Sequence, residues 1–125
     1  MILVDTSVWV DHLRQGDSEL SRLLETSRAC IHAFVIGELA CGNLRQRREV
    51  LALLNDQPMV VHADDREVLS MIESRRLMGK GIGYIDAHLL AATILDGGTR
   101  LWTRDKRLAQ IADTMGVLYR PAMGI

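Results

Sequence analysis

No segment of this 125-residue chain stays apolar for anything near the ~20 residues that a membrane-spanning helix needs. Cysteine is nearly missing. Cys30 and Cys41 are the only two, they make no Cys-x-x-Cys pair, and both are read as buried free thiols in a reducing compartment. Proline occurs twice, at Pro58 and Pro121, and no repeat, linker or low-complexity tract divides the chain, so one domain over 1–125 is expected. Net charge is only −1, so no overall field advertises a polyanionic partner. His12, His32, His62 and His88 are scattered without zinc spacing. The chain opens at Met1 on strand-like sequence, without a basic and then apolar leader, and a cytoplasmic location is expected.

What is present is an alternation of short β-rich runs with helical stretches. Strands are expected at Ile2 to Val4, Ala29 to His32, Met59 to His62, Arg100 to Thr103 and Val117 to Arg120. Helices are expected over Val8 to Arg14, Ser18 to Thr26, Phe34 to Asn55 (broken near Gly42-Asn43), Asp64 to Met78, Tyr84 to Leu95 and Asp105 to Met115. Asp64 with Glu67 reads as a capping box, and Gly97-Gly98 and Gly116 as helix terminators. Such alternation implies an α/β fold, a mostly parallel sheet covered on both faces by helices. Ligands of such folds bind beyond the carboxyl ends of the strands, where the strand order reverses.

Four carboxylates interrupt or end apolar runs: Asp5 after Met1-Ile2-Leu3-Val4, Glu38 within Phe34-Val35-Ile36-Gly37-Glu38-Leu39-Ala40-Cys41, Asp86 before Ala87-His88-Leu89-Leu90, and Asp105 after Leu101-Trp102-Thr103-Arg104. A buried ionised carboxylate must be paired, neutralised or bound to a metal. Residues three and four apart share a helix face, which aligns Glu38 with Phe34, Val35 and Cys41, and Asp86 with Leu89, Leu90 and Thr93. Asp86 also reads as a helix-end charge favoured by the dipole, and Asp5-Thr6-Ser7 as a strand end running into a helix capped by Ser7. The coincidence of all four points to a divalent metal site, and oxygen-only ligation favours Mg²⁺ or Mn²⁺ over zinc.

Basic residues cluster despite the balanced total: Arg45-Gln46-Arg47-Arg48, Arg75-Arg76 with Lys80, and Arg100, Arg104, Lys106 and Arg107. Each cluster reads either as a solvated face or as a holder of backbone phosphates. Gly79-Lys80-Gly81-Ile82-Gly83 matches neither the P-loop nor the dinucleotide fingerprint. It reads as a flexible connection or as a contact to phosphates entering the crevice.

With these motifs, the chain resembles PIN domains, and closely the VapC-type toxins of bacterial toxin–antitoxin pairs. Met1 to Trp9 resembles the opening strand with its first aspartate, Ile36 to Gly42 the glutamate segment, Ile82 to Ala91 the third acidic motif, and Leu101 to Leu108 the fourth. The resemblance implies a three-layer PIN-like fold with a five-stranded sheet ordered 3-2-1-4-5. It implies a metal-dependent endoribonuclease with Asp5, Glu38, Asp86 and Asp105 ligating Mg²⁺ (or Mn²⁺) or positioning water, and Ser7 and Thr103 as supporting hydroxyls. It further implies an RNA substrate, a homodimer, a hetero-oligomer with a small VapB-like antitoxin, and contact with operator DNA only through that antitoxin. An inhibitory arginine is expected against the acids, with Trp9, Val10 and Leu13 read either as apolar anchors nearby or as plain core packing or a homodimer contact. Two departures weigh against a second metal: Lys106-Arg107 follow Asp105 where many relatives carry Asp or Asn, and His32-Ala33 stand where Ser or Thr often opens the glutamate helix. The alternatives are a phosphatase-like phosphoryl-transfer enzyme, which would need an aspartate where Ser7 stands, and a catalytically silent binding module of the same fold.

Overall fold

Ile2-Leu3-Val4 is an apolar run with two β-branched residues, and it forms the central strand of a parallel sheet. In the computed structural model, which describes residues 1–121, the elements in chain order are β1 (Ile2–Val4), α1 (Thr6–Gln15), α2 (Ser18–Glu25), β2 (Ala29–Cys30), α3 (Ala33–Ala40), α4 (Arg47–Asn55), α5 (Asp65–Ser74), α6 (Tyr84–Asp96), β3 (Arg100–Trp102) and α7 (Lys106–Thr114). The expected domain of 1–125 runs past the described residues at 122–125. Ile2 pairs with Ala29 on one side and with Arg100 on the other. All three β1 residues are buried, and since successive strand side chains point to opposite faces, helices cover the sheet on both faces.

The sheet corrects one expectation. Among the described residues it has three strands, in the order β2-β1-β3, and not five in the order 3-2-1-4-5. Where the outer two were expected there is one parallel bridge each, Ile31 to Met59 and Leu101 to Leu118. Pro58 has no N–H to donate, so only two hydrogen bonds form on that edge: the Ile31 N–H to the Pro58 carbonyl at 2.9 Å and the Val60 N–H to the Ile31 carbonyl at 3.0 Å. The chain then turns at once into the α5 cap. The other edge likewise holds two, from Leu101 to the Val117 carbonyl and from Tyr119 to the Leu101 carbonyl. Such short edges present little template for pairing with another chain.

The helices follow their signals. The Asp64 carboxylate accepts from the Glu67 N–H at 2.7 Å, and the Glu67 carboxylate accepts from the Asp64 N–H at 3.0 Å, completing the capping box. The long expected helix from Phe34 breaks at Gly42-Asn43 into α3 and α4. Ala87 to Thr93 of α6 are all buried, so this helix is embedded in the core, and the carboxylate near its start is held at the core's edge. Cys30 is buried as expected but Cys41 is exposed, and Trp9 is fully buried in the core cluster that also holds Leu3, Leu20 and Leu23. It is therefore a core residue, and the expected role of Trp9 as a surface anchor is withdrawn.

Candidate functional site

Because β1 sits between β2 and β3, the chain leaves β1 in opposite directions to reach its two neighbours, and the strand order reverses there. Asp5 stands at that point. Its N–H donates to the Trp102 carbonyl at 2.9 Å, which brings the carboxyl ends of β1 and β3 side by side. The side chain is buried, 6% exposed, and its Oδ2 accepts two hydroxyls, from Ser7 and from Thr103, each at 2.7 Å. Both hydroxyls are themselves oriented from behind. Ser7 Oγ accepts the Arg104 N–H at 3.0 Å, and Thr103 Oγ1 accepts the Asp105 N–H at 3.1 Å. With a lone pair engaged by backbone, each hydroxyl proton is directed at Asp5. Ser7 thus orients the aspartate, and does not cap α1: Asp5 occupies the cap position and makes no side-chain cap bond.

The other acids are held in the same manner, by one oxygen. Glu38 is exposed on α3, and its Oε1 accepts the Thr6 hydroxyl at 2.6 Å. Asp86 lies one turn into α6, and its Oδ2 accepts the Gly83 N–H at 3.1 Å. This is half of a capping box, glycine having no side chain to complete it. Asp105 caps α7, its Oδ1 accepting the Leu108 N–H at 3.0 Å. Local capping thus gives Asp86 and Asp105 structural work as well. Among the described residues, no lysine or arginine pairs with any of the four acids.

Asp86 feels the other three acids. Burial pushes the Asp86 carboxyl above its ordinary value of 3.8, the Gly83 N–H opposes this, and the negative charges of Asp5, Asp105 and Glu38 push it further up. A carboxyl whose folded pKa is raised contributes stability below the unfolded pKa and loses it as pH rises through the folded one. In chelator-treated buffer at pH 7, Asp86→Asn is therefore expected to raise the melting temperature, since Asn can still accept the Gly83 N–H. The gain should vanish as pH falls below about 4. A variant less stable than wild type at pH 7 would show that Asp86 carries no such repulsion.

These residues fit a hard divalent cation by chemistry. All donors are oxygens, each carboxylate has one oxygen outside its protein hydrogen bonds among the described residues, and cationic partners are missing. Among the described residues, though, no three His, Cys, Asp or Glu side chains are arranged so as to hold a metal ion as they stand. The donor set fits and the cage is not preassembled.

Three features escaped sequence reasoning. Thr6 is the partner of Glu38. His32, in place of Ser or Thr, caps α3 itself, its Nδ1 accepting the Phe34 N–H at 2.9 Å. Its ring gathers with His62 and His88 at centroid distances of 4.8 and 6.1 Å. An accepting Nδ1 puts the ring proton on Nε2, so His32 does not offer that nitrogen to a metal. Only the His32 cap repeats a known sequence signal, an acceptor beside a helix start. The histidine cluster joins residues far apart in sequence and had no local signal.

The basic clusters differ in their partners. Arg104 forms ion pairs with Asp11 and Asp17 and lies over the Trp102 ring, 5.7 Å from its centroid. Arg47 donates to the Ala40 carbonyl at 2.8 Å and the Gly42 carbonyl at 3.2 Å, closing the end of α3. Arg100 donates to the Gly116 carbonyl at 3.2 Å. Arg75, Lys80 and Arg107 make no hydrogen bond or ion pair through their side chains among the described residues.

A parallel sheet carrying an acidic group at its reversal point defines a class, and the chain belongs to the PIN-domain family, whose description matches residues 2–114. Within it, the chain is 50% identical over 120 residues to Ribonuclease VapC32 of Mycobacterium tuberculosis, covering 94% of each protein, with the same figures in two strains. The solved structure of FitAcB from Neisseria gonorrhoeae shares the fold, with a TM-score of 0.62 at 23% identity, covering 90% of this chain and 94% of that one.

Proposed function

We propose that this chain is an endoribonuclease and the toxin of a toxin–antitoxin pair, acting on RNA phosphodiesters with the aid of Mg²⁺ or Mn²⁺. What supports the reading is a set of four acids without cationic partners among the described residues and each oriented by a protein donor: Asp5 stands at the reversal point of the sheet, and the charges of Asp5, Glu38 and Asp105 all reach Asp86. The half-identical relative named as a ribonuclease supports the activity.

Asp5, Glu38, Asp86 and Asp105 would hold the cation. When bound, it supplies Lewis acidity, lowering the pKa of water and offsetting charge on the phosphoryl oxygens. The chain's own residues do the rest. Ser7 and Thr103 fix the Asp5 carboxylate from behind, and Thr6 fixes Glu38. One carboxylate of the site, Asp5 or Asp86, accepts the proton of the attacking water. The water oxygen bonds to phosphorus as the bond to the leaving nucleotide oxygen breaks. One metal suffices for this scheme.

Control follows from the same charge. A small antitoxin segment presenting an arginine would neutralise the acids by bidentate contact. With Trp9 buried, the apolar anchors left on α1 are Val10, 37% exposed, and the partly buried Leu13. A homodimer in the cytoplasm, bound to antitoxin, and reaching operator DNA only through it, completes the proposal.

The test uses purified protein and long single-stranded RNA. Cleavage is expected with Mg²⁺ or Mn²⁺, to stop on addition of EDTA, and to be suppressed in the complex co-purified with the genetically adjacent small protein. Cleavage that continues unchanged in EDTA would remove the metal from the mechanism, and a fully active complex would remove occlusion as the means of inhibition.

A further inference from the structure

Arg75, Lys80 and Arg107 come from three places in the chain, the end of α5, the Gly79–Gly83 loop and the first turn of α7, and they line one open cavity of about 430 Å³. Like charges brought together repel unless an anion joins them, and none of the three has a carboxylate partner among the described residues. Gln110 and Thr114, one and two turns beyond Arg107, add polar groups to the same wall, with Leu77 as an apolar one.

The Gly79–Gly83 loop is shaped around this cavity. Gly81 has φ +85°, and a Cβ built there would fall 2.6 Å from Arg107 Cδ and 2.6 Å from one of its terminal nitrogens. The Arg107 side chain therefore lies directly on the Gly81 backbone, where an added Cβ would push it aside. The two elements that form this contact also carry acids: Gly83 holds Asp86, and Asp105 begins the helix of Arg107. Acid cluster and basic cavity are thus joined along the loop and the start of α7.

We infer that the cavity walled by Arg75, Lys80 and Arg107 binds a backbone phosphate of the RNA away from the scissile linkage. The inference rests on the nuclease reading given above. A flexible polyanion whose scissile phosphodiester lies at the acids would continue over the Gly81–Arg107 contact into the cavity. Its phosphates bring the anion that the three cations lack, and supply affinity that does not depend on base sequence. Arg104, paired with two aspartates, takes no part.

Binding of a fluorescent single-stranded RNA of mixed sequence, followed by anisotropy without metal at 50 to 200 mM salt, tests this. The parent protein carries Asp5→Asn so that the RNA stays intact. Adding Arg75→Gln, Lys80→Gln and Arg107→Gln together is expected to weaken binding about tenfold or more, and to lower the slope of log affinity against log salt by roughly 0.7 for each phosphate no longer neutralised. Gly81→Ala, which displaces Arg107 while leaving every charge in place, should shift affinity in the same direction by a smaller factor. Arg104→Gln should leave the salt slope unchanged. If the triple variant binds with the parent's affinity and slope, the cavity is not a phosphate site and the nuclease reading stands. The same holds if the variant keeps RNA and instead loses the antitoxin, because the cavity then takes acidic protein. A parent that binds no RNA at any salt would overturn the nuclease reading itself, and this inference with it.

Discussion

Asp5→Asn is expected to abolish RNA cleavage, by roughly 10²-fold or more, while the protein melts at or above the wild-type temperature. The size follows from the loss of the charge around which the site is built. The preserved fold follows from geometry. The carboxamide is isosteric, and its oxygen can still accept the Ser7 and Thr103 hydroxyls that now meet at Oδ2. Thr103→Val separates charge from orientation. It keeps the carboxylate and removes one of two orienting hydroxyls, so a smaller loss, on the order of 10–100-fold, is expected. Both variants are read by the rate of RNA cleavage and by thermal melting. An Asp5→Asn protein that cuts RNA at the wild-type rate would take Asp5 out of the chemistry.

The second large effect concerns acid. The His32 ring is fully buried, and burial, reinforced by His62 and His88 nearby, pushes its pKa down from 6.5 to about 4. A group with a lowered folded pKa binds protons more readily in the unfolded chain, so stability is lost as pH falls through 6.5, levelling off below about 4. A shift of this size removes about 3 kcal/mol at the acid limit. His32→Asn keeps a capping acceptor for the Phe34 N–H but cannot titrate. It should be less stable near pH 7, because a ring is lost from the core, yet show a flatter decline between pH 6.5 and 4. Denaturant melts at several pH values measure this. Parallel declines in variant and wild type would assign the acid sensitivity elsewhere. His88, in contact with Asp65 at 3.2 Å, belongs to the same cluster.

Much of this molecule was legible in its sequence because local signals and global topology agree. β1, α5 with its capping box and the break between α3 and α4 are written in consecutive residues. The two outer strands were legible as hydrophobic pattern only. Whether such a run becomes a strand depends on hydrogen bonds, and beside Pro58 and before the α5 cap there is room for two. The four acids were legible through their apolar surroundings, although Glu38 and Asp105 proved exposed. Their partners were less so. Thr6 reaches Glu38 across 32 positions, and no local pattern encodes such a pair, whereas Thr103, which reaches Asp5 across 98, was expected as a supporting hydroxyl through the family resemblance alone. Charge clusters misled for the same reason. Arg104 and Arg107 look alike in sequence, and only the fold shows one paired with two aspartates and the other lying on a glycine.

The central position of β1 has a bearing on the birth of the protein. Strand β1 is made before β2 and β3, yet one of its two neighbours is β3, and the hydroxyl of Thr103 that orients Asp5 follows directly after that later strand. A growing chain still tethered to the ribosome therefore holds Asp5 and Glu38 long before Asp86 and Asp105 exist to join them. On the proposed reading, a nascent chain therefore has no centre with which to cut the message being read until β3 and the start of α7 have been made. A chain ended ahead of α7 would lack Asp105 altogether. The proposed activity, and with it the need for an inhibitor, would begin only once that late segment has joined the sheet.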